Sequence, residues 1–428
     1  MAKTHWSSHL VFMLACIGSA VGVGNIWRFP YLAAENGGGT FILVYLFAIL
    51  LLGFPVLLLE LLAGKALSSS PLKSFEKIKK NWTPLYYANF LIVILLFSYY
   101  VVITGWTLGY LVLSLGGAVS PFADFSSTYL PVVFTFAVMA ILFFVMRVNI
   151  KQGLEKVNSI ILPLLYVILL FLLYEAVKLP AFPQAIQYYT SIDVSKLLMP
   201  SFWLVVISQA IFSLSIGQGI MLAYGAYLSK KEELVKSSLA IVSADTAASL
   251  LASLIVFGFM FSFAIPPNTG PSLSFEALPH AFQQMEFGSL IMPVFFLLLF
   301  GAALTSAVSL AEVIIFNFMD MLKITRKTAT LACIVLISIL MIPSALSYSP
   351  LNLSIFGEKF FDFLDVSVVG RFLPLTTLFT IVYIAWGYKD LEKEAYANMP
   401  KWMVAPFLLV VRFVLPIFLA IISIAQFL

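Results

Sequence analysis

The first apolar segment of the chain is long enough to cross a membrane, but glycine and polar residues interrupt it. Residues 18–30 read GSAVGVGNIWRFP, with three glycines, an asparagine and an arginine near the middle of the segment. In hydrocarbon each backbone N–H and C=O group needs a partner, so a helix breaks at membrane depth only where protein or a bound ligand satisfies the freed groups. The interruption therefore predicts a binding site inside the membrane.

Composition places the chain among polytopic helical membrane proteins. Of its 428 residues, 62% are hydrophobic and only 10% are charged, which leaves too little polar surface for a soluble domain. Apolar runs of membrane length recur throughout the chain, and they predict an all-α protein. We expect eleven transmembrane helices near residues 8–33, 40–67, 84–115, 128–147, 152–177, 198–228, 235–264, 289–321, 327–346, 361–388 and 402–427.

The distribution of lysine and arginine predicts the orientation. With a cytoplasmic N-terminus, only Lys178, Lys196 and Lys359 fall in outer loops, and the other loop lysines and arginines lie inside. This bias predicts a multi-pass protein of the cell membrane with its N-terminus in the cytoplasm and its C-terminus outside. It also accounts for the net charge of +4, so we expect the lipid bilayer and no nucleic acid as a partner.

Catalytic and pore-forming classes lack their usual patterns. The sequence contains no HExxH or GxSxG motif, its three histidines are scattered, and Cys16 and Cys333 both lie in spans. An enzyme or an organic cofactor is therefore not expected. A channel would need polar residues repeated along a continuous pore, whereas the polar residues of this chain cluster at two places.

The second cluster is in span six, where residues 209–227 read QAIFSLSIGQGIMLAYGAY. The pair Gly217-x-Gly219 matches Gly22-x-Gly24 at the corresponding place of a second set of five helices. Paired interruptions of this kind are typical of transporters built from inverted repeats; close packing of helices at glycine is the alternative. We predict a single transporter domain over 1–428, with repeats at about 8–177 and 198–388 and an extra helix at 402–427.

Six segments together resemble the neurotransmitter:sodium symporter family. They are GSAVGVGNIWRFPYLAAENGGGTF at 18–41, ITGWTLG at 103–109, GLEKVNSIILP at 153–163, SLSIGQG in span six, ADT at 244–246 and ALTSAVSLAEV at 303–313. The resemblance covers almost the whole chain and is closest to the prokaryotic amino-acid transporter branch. It implies a leucine-transporter-like fold, five helices plus five, with broken spans 1 and 6, although many members have twelve spans. It also implies sodium-coupled symport of an amino acid or amine by alternating access.

The resemblance implies two sodium sites. The residues suit this ion, since unwound backbone and hydroxyl or carboxamide groups provide hard oxygen donors. The first site would consist of the Ala20 carbonyl, the side chains of Asn25, Ser213 and Asp245, and the carboxylate of the substrate. The second would consist of the carbonyls of Gly18, Val21 and Ala302 with the hydroxyls of Thr305 and Ser306. For Thr305 and Ser306, bonding back to the preceding turn of their own helix is the alternative.

The resemblance also implies a substrate pocket at the two breaks. Helix N-termini attract anions, so the substrate carboxylate would contact the amides of Val23 and Gly24 and the Tyr100 hydroxyl. The amino group would contact the carbonyls of Ala20, Phe212 and Ser215. Ser213 would serve substrate and sodium alike, and the side-chain end of the pocket would contain Leu96, Tyr100, Phe212, Gln218, Ser306, Ala307 and Leu310.

Two positions of the pocket bear on the cargo. Family members that carry monoamines have an aspartate at the position of Gly22, so glycine predicts an amino acid, with aliphatic or aromatic ones first and small or polar ones open. Gln218 replaces the phenylalanine of a leucine-transporting member. A buried glutamine needs hydrogen bonds, and either a polar group of the substrate or a neighbouring residue could supply them.

Asp245 is a carboxylate in the middle of span seven, where an ionisable residue is functional by default. In chloride-dependent members this region is neutral, so Asp245 predicts chloride-independent transport; Ser249 stands where a leucine-transporting member has a glutamate. A protonated Asp245 bonded to a neighbouring helix is the alternative for this residue. Because Asp245 and Glu60 could carry protons, a proton-coupled amino-acid transporter of the same fold is the alternative function. We interpret Glu60 as structural, bonded to unwound backbone, and Glu312 as part of the inner pathway.

Gates are expected on both sides of the pocket. Arg28 and Asp365 would close the outer side, and Lys3 with Asp320, aided by Trp6 and Tyr227, the inner side. Gly153 and Pro163 match a pattern at which the inner end of span five unwinds in family members, with a static proline kink as the alternative. Residues 266–287 would form an outer lid. The oligomeric state is left open, with a homodimer as one alternative.

Overall fold

The computed structural model describes residues 5–117, 120–229, 232–267 and 273–425. Within these ranges eight helices are long and apolar enough to cross a membrane, and a pair bent by 48° adds a ninth span. Two shorter apolar helices, Leu130–Met146 and Pro200–Ser213, occupy the places of predicted spans 4 and 6. The multi-pass helical architecture is therefore confirmed, while the count of eleven stays a prediction.

We number the spans in chain order. Their bounds are His9–Ala20 with Gly24–Glu35 for span 1, Gly39–Leu67 for span 2, Pro84–Leu115 for span 3, Leu130–Met146 for span 4, Leu154–Val177 for span 5, Pro200–Ser213 with Ile220–Ala226 for span 6, Leu234–Ser262 for span 7, Gly288–Leu322 for span 8, Arg326–Ala345 for span 9, Phe360–Gly387 for span 10 and Lys401–Ala425 for span 11.

Short elements connect the spans. The connecting helices are Pro71–Lys79, Lys80–Trp82, Phe122–Ser126, Phe182–Thr190, Val194–Leu198, Ala277–Gln283 and Leu391–Asn398. Two-residue strands Ser354–Ile355 and Glu358–Lys359 pair antiparallel before span 10. Of the predicted outer lid, residues 268–272 lie outside the described part of the chain, and Ala277–Gln283 is its helical stretch.

Four π-helical segments widen the spans, and each one precedes a proline. The segments are Gly24–Arg28, Ile49–Gly53, Phe363–Gly370 and Val410–Val414, and the prolines are Pro30, Pro55, Pro374 and Pro416. A proline ring collides with the carbonyl four residues earlier, and in each case that carbonyl belongs to the π-helical segment. The extra residue in the turn accommodates the ring.

The two broken spans lie among long, continuous ones. Span 8 packs against spans 3, 5 and 9 and the first half of span 1, and the second half of span 6 packs against span 2. Gly64 and Gly225 allow this last approach, because a Cβ at Gly225 would lie 2.7 Å from the Leu61 carbonyl oxygen. Close packing at small residues is a common way for transmembrane helices to associate.

Candidate functional site

The break in span 1 separates two helices of the same span at Val21–Val23. Val21 leaves the helical region with ψ of 95°, so the carbonyls of the last turn, Gly18 to Val21, lose their usual partners four residues ahead. The Gly22 amide, which would bond to the Gly18 carbonyl in a continuous helix, donates instead to Asn25 Oδ1 at 2.9 Å. The break thus exposes the carbonyls that were predicted to bind sodium.

The break in span 6 depends on left-handed backbone. Ser215, Gly217 and Gly219 have φ of 53°, 76° and 78°, a conformation that glycine adopts without strain. The Gly217 peptide group is held on both sides: its amide donates to Glu60 Oε1 at 2.6 Å, and its carbonyl accepts from Asn89 Nδ2 at 2.9 Å. The predicted bond between Glu60 and the unwound backbone is present, and its role as a structural residue stays a prediction.

The two breaks meet at one carbonyl group. The oxygen of Ser19 in span 1 accepts hydrogen bonds from the Ser215 hydroxyl of span 6 at 2.8 Å and from the Ser306 hydroxyl of span 8 at 3.2 Å. Around this point lies a narrow cavity that is lined by every predicted substrate residue except Val23 and Ala307. It is lined by Ser19, Ala20, Gly22, Gly24, Leu96, Tyr100, Phe212, Ser213, Ser215, Gln218, Ser306 and Leu310.

Gly22 and Gln218 face this cavity in different ways. A Cβ at Gly22 would collide with Ser306 Oγ and lie 3.3 Å from the Tyr100 hydroxyl oxygen, so a larger residue would have to displace the Ser306 hydroxyl. Gln218 is 3% exposed, and within the described residues its carboxamide makes no hydrogen bond to protein. Of the two alternatives for Gln218, no described neighbour supplies the bond, and a bond to a polar group of the substrate stays a prediction.

A buried cluster beside the cavity is centred on Asp245. Its carboxylate accepts from Asn25 Nδ2 at 2.7 Å, from Ser213 Oγ at 2.9 Å and from the Tyr45 hydroxyl at 3.3 Å. Asn25 Nδ2 also lies 2.8 Å from Ser249 Oγ. Asp245 is 0% exposed and forms no ion pair with any described residue, so a buried negative charge here requires a cation or a proton for compensation.

The predicted second sodium residues lie between spans 1 and 8. Thr305 Oγ1 bonds back to the Ala302 carbonyl at 3.0 Å and to the Gly301 carbonyl at 3.2 Å, which is the alternative considered for this residue. Ser306 does not follow that alternative, since its hydroxyl reaches across to span 1 at Ser19. A hydroxyl that donates to a carbonyl keeps its oxygen lone pairs for an ion, and the role of Thr305 as a ligand stays a prediction.

On the outer side of the pocket, Arg28 and Asp365 line one cavity of about 610 Å³. They form no ion pair in the described structure. The Arg28 guanidinium lies 5.1 Å from the centroid of the Phe212 ring and donates to Gln209 Oε1 at 3.2 Å. Gln209 Nε2 in turn donates to the Gly24 carbonyl at 2.8 Å. The predicted outer gate pair therefore faces a common space without closing it.

On the inner side, Trp6 packs against span 6. Its indole N–H donates to the Tyr224 carbonyl at 3.0 Å, and its backbone amide donates to the Tyr227 carbonyl at 3.3 Å. Asp320 accepts from the Ser70 amide at 3.0 Å. Its predicted partner Lys3 lies outside the described residues, so the inner ion pair stays a prediction.

Glu312 has a partner that the sequence analysis did not find. Arg326 donates to both of its carboxylate oxygens, at 3.0 and 2.6 Å, and Tyr227 donates at 2.9 Å. Gln209 and Asn89 were also missed, although each is a buried polar residue in an apolar run. Their occurrence in membrane-spanning sequence was the available signal, but which helix they face was not readable from it.

Comparison with known proteins decides the family. The family model for the sodium:neurotransmitter symporters matches residues 3–130 and 126–428. The chain belongs to this family. An uncharacterised sodium-dependent transporter of Methanocaldococcus jannaschii is 34% identical over 93% of this chain and 85% of its own length. A second, from Bacillus subtilis, is 31% identical over 99% and 98%.

A solved structure extends the likeness to three dimensions. The crystal structure of MhsT in complex with L-phenylalanine superposes with a TM-score of 0.91 at 35% identity and covers 99% of each chain. The fold with broken spans 1 and 6 is thereby confirmed. As a member of this transporter family, the protein is a multi-pass membrane protein and a sodium-dependent symporter.

Proposed function

We propose that this symporter carries an amino acid together with two sodium ions, by alternating access. The observation that carries the proposal is the meeting of the two breaks: Ser19 of span 1 and Ser215 of span 6 share a hydrogen bond beside the cavity of predicted substrate residues. Cargo bound there would touch both halves of the transporter at once. MhsT, whose structure holds L-phenylalanine, supports an amino acid as the cargo.

The first sodium ion would bind between the Asp245 cluster and the Ala20 carbonyl. Asp245 supplies the negative charge that a buried cation requires, so transport would not need chloride. Asn25 at present directs Nδ2 toward Asp245 and Oδ1 toward the Gly22 amide. To coordinate sodium through Oδ1, its carboxamide would have to rotate, which would release the Gly22 amide toward the substrate.

The substrate would be an α-amino acid whose side chain lies between Leu96, Leu310 and Gln218. The small Gly22 leaves room for the substrate carboxylate, since any side chain there would meet Ser306 and Tyr100. Aliphatic and aromatic amino acids fit the two leucines. The unpaired carboxamide of Gln218 would add affinity for those that carry a polar group.

The movement would involve two repeats of five spans, at about 8–177 and 198–388, with the N-terminus in the cytoplasm. Lysine and arginine support this orientation. Span 5, with Gly153 before its first residue and Pro163 inside it, would open the inner pathway at its cytoplasmic end. Arg28 and Asp365 would approach each other when the outer side closes.

Uptake of radiolabelled amino acids into proteoliposomes tests the proposal. We expect accumulation with an inward sodium gradient, none with an inward proton gradient alone, and no change when gluconate replaces chloride. Competition by the twenty amino acids would identify the cargo. Accumulation driven by protons without sodium would support the proton-coupled alternative instead, and stimulation by chloride would contradict the role of Asp245.

A further inference from the structure

Asn158 of span 5 has a buried oxygen that no described residue satisfies. The residue is 0% exposed, and its Oδ1 has no hydrogen-bond partner in the described structure. Its other polar atom, Nδ2, donates to the Leu154 carbonyl at 2.9 Å. Buried polar atoms in native proteins are nearly always paired, so this carboxamide oxygen is available to bind a ligand.

The oxygen is directed at the break of span 1. A Cβ at Gly18 would collide with Asn158 Oδ1, so the oxygen lies directly against that residue. One turn further along the same face of span 5, Ile161 lies 3.1 Å from the position of a Cβ at Gly301 in span 8. This face of span 5 therefore packs where spans 1 and 8 meet, beside Gly18 and next to Ala302.

Those two residues are predicted to donate carbonyls to the second sodium ion. A carboxamide oxygen is a hard, neutral donor of the type that such cations accept. The Asn158 oxygen would be one further ligand, from a third span, beside the carbonyls of Gly18, Val21 and Ala302 and the hydroxyls of span 8. It would add no charge to a buried site.

The hydrogen bond of Asn158 Nδ2 connects this contact to the start of span 5. Leu154, which accepts from Nδ2, is the first residue of span 5 and follows Gly153. An ion held by Oδ1 would fix the carboxamide, and the carboxamide would fix the first helical turn. Loss of the ion would leave that turn with one restraint fewer.

We propose that Asn158 is a ligand of the second sodium ion and that it couples occupancy of this site to the first turn of span 5. The proposal deepens the proposed function and rests on it, since it requires that a second sodium ion binds between spans 1 and 8. The ion enters as cargo. Asn158 selects for it, and the bound ion stabilises the first turn of span 5 through the Asn158 carboxamide.

Sodium titration of the purified full chain tests the ligand. Thermal unfolding is followed in detergent without amino acid, with choline replacing sodium at constant ionic strength. Each variant is measured in the native protein and in the Asp245→Asn background, because Asp245→Asn weakens the first sodium site. We expect Asn158→Leu, which keeps the branched shape but removes the oxygen and the Nδ2 donor, to raise the half-saturating sodium concentration at least tenfold. Ile161→Ala, the matched control on the same face, should change it less than twofold.

A half-saturating concentration in Asn158→Leu within twofold of the native value would overturn the proposal. If this variant does not fold, Asn158→Asp and Asn158→Ser decide instead. The carboxylate of Asn158→Asp should lower the half-saturating concentration and the shorter hydroxyl of Asn158→Ser should raise it. Native values in both would overturn the proposal equally.

Amide hydrogen exchange over residues 150–158 tests the coupling. Sodium should slow exchange in the native protein at least threefold and should have no effect in Asn158→Leu, whereas a purely packing role would change exchange equally with and without sodium. The outcome separates the two proposals. If the native protein shows no sodium-driven uptake, the proposed function fails; if uptake is normal and the Asn158 variants keep native sodium responses, only this inference fails.

Discussion

At the scale of single residues, the negative charge of Asp245 carries the most of the proposed mechanism. Its carboxylate lies among Asn25, Ser213 and Tyr45, all of which donate hydrogen bonds but none of which carries a compensating positive charge. Donors of this kind lower the unfavourable free energy of a buried carboxylate without removing it. A sodium ion bound next to Asp245 would compensate this unfavourable free energy, so ion binding would depend on the Asp245 carboxylate.

Replacement of Asp245 by asparagine removes the charge and keeps most of the shape. We expect sodium-driven uptake to fall at least tenfold, because the cation loses the charge that compensates it, and the half-saturating sodium concentration to rise. Uptake at a series of sodium concentrations measures both. Glu175→Gln, which neutralises a partly buried carboxylate paired with Lys178, is the control and should leave uptake unchanged. Full uptake in Asp245→Asn would contradict the role.

Gly22 tests the shape of the pocket. In Gly22→Asp the new side chain would enter the space between Ser306 and Tyr100 and place a second carboxylate where the substrate carboxylate is expected. We predict loss of amino-acid binding, by more than a hundredfold in affinity, measured by scintillation proximity on purified protein. Gly116→Ala, where a Cβ has no neighbour nearer than 3.5 Å, should bind normally. Retained affinity in Gly22→Asp would place the substrate elsewhere.

At the scale of elements, side chains of neighbouring spans hold the breaks in place. Gly217 in span 6 is held by Glu60 of span 2 and Asn89 of span 3, and Gly24 in span 1 by Gln209 of span 6. Unpaired backbone groups at membrane depth are strongly unfavourable, so these side chains are what allows the helices to break at all. Each break is therefore a property of several spans together.

Glu60 provides a test of this support. Glu60→Leu leaves the Gly217 amide without its acceptor, and we expect a loss of about 1–3 kcal/mol of stability, seen as a lower thermal unfolding midpoint in detergent. Glu60→Gln keeps an acceptor oxygen and should lie close to the native protein. An equal midpoint for native and Glu60→Leu would show that the amide finds another partner.

The N-terminal segment is held to the inner end of span 5. Glu155 accepts from the Ser7 amide at 3.0 Å and from the Ser7 hydroxyl at 2.6 Å. In Glu155→Ala we expect the segment to detach more often and the completely buried Cys16 of span 1 to react several-fold faster with N-ethylmaleimide, as measured by mass spectrometry. Cys333 in span 9 is the internal control, and Glu175→Ala at the other end of span 5 is the matched variant. Equal Cys16 labelling in native and Glu155→Ala would mean that Ser7 does not restrain the inner side.

At the scale of the whole molecule, the fold and the breaks could be predicted because their signals are local. Glycines within an apolar run act within their own helix, and so do the prolines that lie two to four residues after each π-helical segment. The partners of Glu312 and Gly24 could not be predicted, since Arg326 and Gln209 lie on other spans and nothing in one sequence says which faces meet. The orientation of the Thr305 hydroxyl was equally open, because the same side chain can bond to its own helix or to an ion.

The two sides of the site differ in packing, as the proposed alternating access would require. The inner side is packed, with Trp6 in edge contact with Tyr224 and Tyr227, and on the outer side Arg28 and Asp365 face a cavity without an ion pair. Transport requires the outer side to close after binding. The attraction between these two charges would favour the closed form, and it would contribute little while the outer side is open.

Asp365→Asn should therefore separate transport from binding. We expect uptake into proteoliposomes to fall about tenfold, because closure loses its ion pair, while sodium-dependent amino-acid binding to detergent-solubilised protein stays within threefold of native. Exchanging the charges in the Arg28→Asp, Asp365→Arg double variant should recover less than the native rate, since Arg28 also contacts Phe212 and Gln209. The control is Asp390→Asn, which changes a loop carboxylate on the opposite side. An equal loss of binding and uptake in Asp365→Asn would show that Asp365 supports the pocket itself and does not act in closing it.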